Sequence, residues 1–138
     1  MVTVDDVRRV AVALPRTTEH LISDRVKFRV KQLVYVAFSR DETLMGFAFP
    51  KEERQALVDS EPDKFCMPSP TDLRFNWVLV RTEALGVEEM TDLVTEAWTM
   101  VVPKGVARDY FQGASAAPGS GHRPPTEQPP GPTYRSRT

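Results

Sequence analysis

A run of alternating polar and apolar residues in the first half of the chain constrains its fold more than any other feature. Apolar side chains occupy every second position from Val26 to Val30, and a period of two is typical of a β-strand with one face buried. Two more strand-like segments follow at residues 33–39 and 43–49, separated only by residues 40–42. Because so short a connection joins antiparallel strands, the sequence predicts an antiparallel sheet.

Helical patterns surround these strands. The hydroxyl of Thr3 precedes Asp6 by three residues, which is typical of a capping box, and Pro15 and Pro103 each follow an apolar stripe of helical spacing. The expected helices span residues 4–14, 50–59 and 88–102, and the expected strands span residues 25–31, 33–39, 43–49 and 77–81. The resulting order, α-β-β-β-α-β-α, predicts an α+β fold in which an antiparallel sheet packs on helices in two layers.

The composition of the chain changes after Gln112. Residues 113–138 are rich in Pro, Gly and Ser and hold six of the chain's twelve prolines. So few apolar residues cannot bury enough surface to offset the entropy that ordering costs. We therefore predict one folded domain over residues 1–112 and a disordered tail over residues 113–138.

Charge is distributed unevenly between these two segments. Residues 1–112 carry 15 Lys and Arg against 18 Asp and Glu, a formal charge of about −3, whereas the tail carries about +2. A domain that binds duplex DNA non-specifically is usually strongly basic. Any nucleic-acid role of this chain therefore depends on a local basic patch.

Three features predict a cytoplasmic protein. The N-terminus lacks a basic segment followed by an apolar stretch, so no secretory signal is expected. No apolar run approaches the roughly 20 residues that a membrane span needs. The single cysteine, Cys66, cannot form an internal disulfide, as expected in a reducing compartment.

Several short segments share their order and spacing with a known family. They are Thr3–Val7, Ala13–Pro15, Phe28–Val30 and Pro50–Arg54, then Phe65, Pro68, Trp77 and Val78, and finally Glu88–Met90, Ala97, Trp98 and Val102–Lys104. Together they resemble the MmcQ/YjbR family of small bacterial proteins. The resemblance implies a CyaY-like fold and a DNA-binding function without a defined set of reading residues.

Four cations alternate along the first predicted strand: Arg25, Lys27, Arg29 and Lys31. A period of two places them on one face, as a stripe about 20 Å long. Such a stripe can meet the phosphates of DNA or the charged group of a small anion. A solvated outer sheet face, where Lys and Arg discourage edge pairing, shows the same pattern.

One aromatic residue is a candidate to accompany this stripe. Trp77 begins the last predicted strand, and an exposed indole there can stack on a base or fill a ligand pocket. A tryptophan that opens an apolar strand also commonly packs in the core or at its rim. We predict Trp77 as a possible stacking residue, with core packing as the alternative.

No constellation in the sequence predicts catalysis or a bound cofactor. The second histidine, His122, lies in the predicted tail, so a metal site at His20 lacks ligands, and Cys66 has no histidine partner. The CyaY-like fold that the resemblance implies is known for iron held by an acidic ridge, yet the first helix offers only Asp5 and Asp6. We therefore expect no catalytic residue, no metal and no cofactor.

The sequence thus supports two hypotheses of different class. The leading one is a non-enzymatic protein that binds DNA weakly through the basic strand face. The alternative is a module that binds a small anionic ligand or a protein partner and has no nucleic-acid role. No membrane association is expected under either hypothesis, and both leave the oligomeric state open.

Overall fold

The computed structural model describes residues 1–116, with side chains through Gln112. Residues 1–101 form one compact unit, and a second unit begins at Val102. The first unit contains helices α1 (Val4–Ala11), α2 (Lys51–Ser60) and α3 (Val87–Thr99), strands β1 (Thr17–Ile22), β2 (Arg25–Val30), β3 (Leu33–Phe38), β4 (Leu44–Ala48), β5 (Phe65–Cys66) and β6 (Trp77–Arg81), and the 3-10 helices Pro70–Asp72 and Thr82–Ala84. The second unit contributes helix α4 (Lys104–Ala116). None of the helices in residues 1–116 is long and apolar enough to cross a membrane.

Within the described residues, six strands join one sheet in the order β1-β2-β3-β4-β6-β5. Every neighbouring pair is antiparallel. This confirms the predicted α+β class and antiparallel sheet. The four predicted strands correspond to β2, β3, β4 and β6, and the edge strands β1 and β5 were not predicted.

Strand β1 pairs with β2 through a turn of two residues, Ser23 and Asp24. Both have positive φ angles, 53° and 65°, which is the backbone conformation of a tight hairpin turn. Glycine and asparagine usually occupy such turns, because other side chains are strained there. Ser-Asp is therefore a weak sequence signal, and this explains why β1 was not predicted.

Helices α1 and α3 form the second layer of this unit. Helix α3 packs on β3 and β4, and α1 packs on α3. The buried side chains between the layers include Phe28, Val36, Phe38, Met45, Phe47, Val78 and Val80 from the sheet and Val7, Ala11, Met90, Val94, Ala97 and Trp98 from the helices. The indole nitrogen of Trp98 donates to the carbonyl of Pro15 at 2.9 Å, so its one polar atom is satisfied inside this core.

The capping box predicted for α1 is present. The Thr3 hydroxyl accepts from the amide of Asp6, and the Asp6 carboxylate accepts from the amide of Thr3. The bond from the Thr3 amide, followed by that from the Arg9 guanidinium, holds the pKa of Asp6 below its ordinary value. The helix ends at Ala11 and not near Leu14, because the next residues form tighter i to i−3 turns before Pro15.

Pro103 begins a helix, and the prediction that it closes one is therefore wrong. Helix α3 ends at Thr99, and the carbonyl of Pro103 accepts from the amide of Val106 as α4 starts. Proline is well suited to a helix start because its missing amide would have no partner there. Helix α4 continues through Ala116, past the predicted boundary at Gln112. The rest of the predicted tail lies outside the described residues, so its disorder stays a prediction.

A bulge in β3 turns one aromatic residue into the core. Phe28 pairs with Val36 and Arg29 pairs with Val34, so Tyr35 has no partner on β2. Tyr35 is fully buried, and its hydroxyl shares a hydrogen bond of 2.8 Å with that of Thr17 on β1. Burial raises the pKa of Tyr35 to about 12, and the bond to Thr17 opposes this rise. The edge strand β1 is thereby tied to β3 across the intervening strand.

We expect Tyr35→Phe to remove an alkaline loss of stability. The neutral form of Tyr35 is favoured in the folded state, so its contribution is present below pH 10 and is lost as the pH rises from 10 towards 12. A shift of this size is equivalent to about 2 to 3 kcal/mol at high pH. Urea unfolding of both proteins from pH 9 to 12 measures it. The wild type should lose more free energy of unfolding than the variant, and parallel losses would contradict the assignment.

Candidate binding groove on the open face of the sheet

The sheet face opposite α1 and α3, called here the open face, carries the side chains that alternate with the core residues. On β2, Phe28 and Val30 are buried, so Arg25, Lys27 and Arg29 lie on the open face. Of the four cations predicted to share one face, the structure places these three together. Lys31 does not join them: it is an exposed residue of the β2–β3 turn with a φ of 57°.

The centre of the open face is hollow because its side chains are small. Ladder pairs run in one row from Lys27 on β2 through Ala37 on β3 and Gly46 on β4 to Leu79 on β6. The outer members of the row are long, and the two inner ones carry a methyl group or no side chain. Three strand spacings of about 4.8 Å separate the outer members, about 14 Å in all, and the indole of Trp77 occupies the part of this width over Gly46.

This hollow is a groove with a volume of about 670 Å³. Its floor includes Ala37, Gly46 and Ala48, and Val34, Leu44 and Leu79 add apolar surface. The cations Arg25 and Lys27 line it from β2, and Phe75, Asn76 and Trp77 line it from β6 and the segment before it. Asp72, Met100 and Val101 also contribute. A volume of this size fits a small organic molecule.

Arg25 and Lys27, the cationic wall of the groove, keep their charges available. Among the described side chains, no carboxylate forms an ion pair with either residue. Arg25 donates one bond of 3.3 Å from Nε to the carbonyl of Phe38, which fixes the side chain. The terminal nitrogens of Arg25 take no part in this bond. Arg29 does not line the groove, although its buried Nε has no acceptor in the described part of the chain.

The second wall of the groove, called here the aromatic wall, consists of Phe75 and Trp77 with Asn76 between them in the chain. The indole of Trp77 occupies the space over Gly46, where a Cβ would lie 2.5 to 2.7 Å from Nε1, Cε2 and Cζ2. Phe75 is 50 % exposed, and the guanidinium of Arg74 lies 4.7 Å from its ring centroid. Trp77 is only half-buried, so it lies at the rim of the sheet, in reach of a ligand in the groove, and outside the core.

The remaining candidates of the sequence lie apart from this groove or contribute no ligand set. His20 is on β1 beside Lys27, and its Nε2 is 3.0 Å from the hydroxyl of Thr18. Cys66 is half-buried on β5, opposite Leu79. In the part of the chain that the structure describes, no three His, Cys, Asp or Glu side chains are grouped to hold a metal ion.

Several acidic side chains outside the groove form ion pairs with other cations. Arg8 binds Asp5 and Glu19, and the Arg8 guanidinium holds the pKa of Glu19 below its usual range. Lys64 binds Glu61 and Glu89, and its pKa is raised chiefly by the bond to Glu89. None of these pairs includes Arg25, Lys27 or Arg29.

Comparison with known proteins identifies the family. Residues 12–100 match the family model of YjbR. The chain belongs to the YjbR family. Its structure is similar to the crystal structure of Deinococcus radiodurans protein DR2400, which carries a DUF419 domain, with a TM-score of 0.64 and 20% sequence identity over 88% of this chain and 96% of that one. At that identity the likeness concerns the fold alone. No curated protein matches the chain with significance.

The groove of this YjbR-family chain was not predicted, although its signal is present in the sequence. Ala37, Gly46 and Ala48 fall on the open-face positions of two central strands, where larger side chains are common. A small residue in a strand interior often marks a close approach of another group. The register between β3 and β4 was needed to see that these three positions adjoin.

We expect Gly46→Ala to displace Trp77. The new methyl group meets the indole at less than 3 Å, so the ring must move, at a cost of about 1 to 3 kcal/mol in the free energy of unfolding. Labelling with 5-fluorotryptophan gives two ¹⁹F resonances, for Trp77 and Trp98, which Trp77→Phe assigns. Only the Trp77 resonance should shift. Gly86→Ala is the control, because nothing lies within 4 Å of its new methyl group. An unmoved Trp77 resonance in Gly46→Ala would contradict the packing.

Proposed function

We propose that this YjbR-family protein is a non-enzymatic binding protein whose groove takes a compact organic anion with an apolar, ring-bearing part. The observation that carries the proposal is the pairing of an unneutralised cationic wall with an aromatic wall across a floor of small residues. The charged group of the ligand binds Arg25 and Lys27, and its apolar part lies against Trp77 and Phe75.

The chemistry of the two walls supports this division. Guanidinium and ammonium groups donate charge-assisted hydrogen bonds to carboxylate, sulfonate or phosphate oxygens. Aromatic side chains and small aliphatic ones gain free energy when an apolar surface displaces water from them. A ligand that supplies both parts satisfies the groove better than a simple inorganic anion does. The acidic balance of residues 1–112 disfavours a long polyanion more than a compact anion.

Single-stranded DNA is the second candidate ligand, and the extension of the cations beyond the groove favours it. Arg29 continues the line of Arg25 and Lys27 along β2, so phosphates of a strand can follow the three cations while a base stacks on Phe75 or Trp77. DNA binding through the basic strand face therefore remains a proposal, carried by three cations of the predicted four.

The double variant Arg25→Ser/Lys27→Ser tests the proposed function. Calorimetric titration with naphthalene-2-sulfonate should show binding to the wild type and a loss of about tenfold or more in the variant, because charge-assisted hydrogen bonds contribute about 1.5 to 3 kcal/mol. Lys31→Ser is the matched control, since Lys31 lies in a turn and outside the groove. It should bind as the wild type does.

Two further probes separate the contributions of the walls. Methanesulfonate carries the charge without the ring, and 2-naphthol carries the ring without the charge, so each should bind about tenfold more weakly than naphthalene-2-sulfonate. Equal binding of naphthalene-2-sulfonate by the wild type and the double variant would overturn the proposal. So would an absence of binding by the wild type.

Fluorescence anisotropy of a labelled single-stranded oligonucleotide with the full chain tests the second candidate. Three phosphate contacts predict that the logarithm of the binding constant falls with the logarithm of salt concentration at a slope of about −2. Arg29→Ser should reduce that slope and leave naphthalene-2-sulfonate binding unchanged, because Arg29 does not line the groove. No binding at low salt would exclude the DNA function and leave the small anion.

A further inference from the structure

A buried arginine lies behind the aromatic wall of the groove. Arg54 belongs to the first turn of α2 and is only 7% exposed. Among the described side chains, no carboxylate pairs with it, and its Nε has no acceptor. Burial of a charge is costly unless hydrogen bonds compensate it. The position of this arginine therefore requires a structural reason.

The terminal nitrogens of Arg54 bind three backbone carbonyls of one segment. Nη1 donates to the carbonyls of Phe75 and Trp77, both at 3.0 Å, and Nη2 donates to that of Leu73 at 2.9 Å. The segment from 73 to 76 turns and bends before β6 begins at Trp77, so the three carbonyls converge on one guanidinium, which holds the whole segment in place. A planar group with several fixed donors can do this, and a lysine ammonium cannot match the geometry.

Two more bonds from the start of α2 hold the same segment. The amide of Lys51 donates to Oδ1 of Asn76 at 3.0 Å, and Nζ of Lys51 donates to the carbonyl of Arg74 at 3.1 Å. The amide of Phe49 also donates to the carbonyl of Asn76 at 3.1 Å. The polar groups between the end of β4 and the first turn of α2 thus converge on the residues that form the aromatic wall.

We infer that Arg54 is a positioning residue for the groove. It touches no ligand; it fixes the backbone of residues 73–77 so that Phe75, Asn76 and Trp77 face the groove in one arrangement. Its effect on ligand affinity rests on the proposed function, because only then does the wall contact a ligand. Its effect on the wall itself does not depend on any ligand. A ligand that meets a fixed wall loses less free energy to side-chain ordering than one that meets a mobile wall.

A purely structural role predicts a different result from substitution. If Arg54 only filled space, methionine would replace it without the cost of a buried charge and with little change elsewhere. If Arg54 positions the wall, methionine leaves three carbonyls without donors and releases the segment from 73 to 77. The environment of Trp77 then changes more than that of Trp98, which lies in the core on α3.

The test uses Arg54→Met and Arg54→Lys in the full chain labelled with 5-fluorotryptophan, without ligand. We expect the ¹⁹F resonance of Trp77 to shift or broaden in both variants, and that of Trp98 to stay in place. Lysine should restore part of the wild-type signal because it can donate to one or two of the carbonyls. Val94→Ala, a truncation of a core residue on α3, controls for a general loss of stability.

Each outcome decides the inference. An unchanged Trp77 resonance in Arg54→Met overturns it, and so does a change of equal size in the Val94→Ala control. If both Arg54 variants fail to fold, the residue serves the fold as a whole and the inference is wrong. A selective change at Trp77 in the folded variants supports it.

Ligand titration then separates this inference from the proposed function. Arg54→Met should weaken naphthalene-2-sulfonate about fivefold or more and leave methanesulfonate unchanged, since only the ring contacts the aromatic wall. If the wild type binds no probe while the Trp77 resonance still responds, the proposed function fails and the positioning role stands. If the wild type binds and Arg54→Met binds equally well, the positioning role has no bearing on the ligand and the inference is overturned.

Discussion

The burial of one sheet face against α3, and of α3 against α1, is the constraint on which the rest of the structure depends. Each central strand must supply apolar side chains at every second position, and Phe28, Val36, Phe47 and Val78 do so in adjacent strands. The residues between them need not be apolar, because their side chains lie on the other face of the sheet. Their side chains are therefore free to form a groove, a charged stripe and an aromatic rim without disturbing the core.

Much of this fold could be predicted from the sequence because it follows from periodicity. The alternation along β2 to β4 and the capping box at Thr3 are local patterns, and both appear where expected. The failures have local causes as well. The Ser23–Asp24 turn uses residues that seldom adopt positive φ, and Pro103 can end one helix or begin another.

The candidate site was predictable only in part, because it is assembled from positions far apart in the chain. The cations Arg25, Lys27 and Arg29 follow a period of two within one strand, so sequence reasoning could place them together. The floor depends on the register between β3 and β4, and the aromatic wall depends on hydrogen bonds from α2 to residues more than 18 positions later. No local pattern contains either kind of information.

The floor of the groove consists of residues with small side chains or none. Ala37 and Ala48 leave space where most strands would carry bulk, and Gly46 makes room for the indole of Trp77. A longer side chain at Ala37 would therefore change which molecules fit the groove, whereas one at Gly46 would displace Trp77 and lower the free energy of unfolding. The shape of the groove and the stability of the domain are thus separable at the first position and coupled at the second.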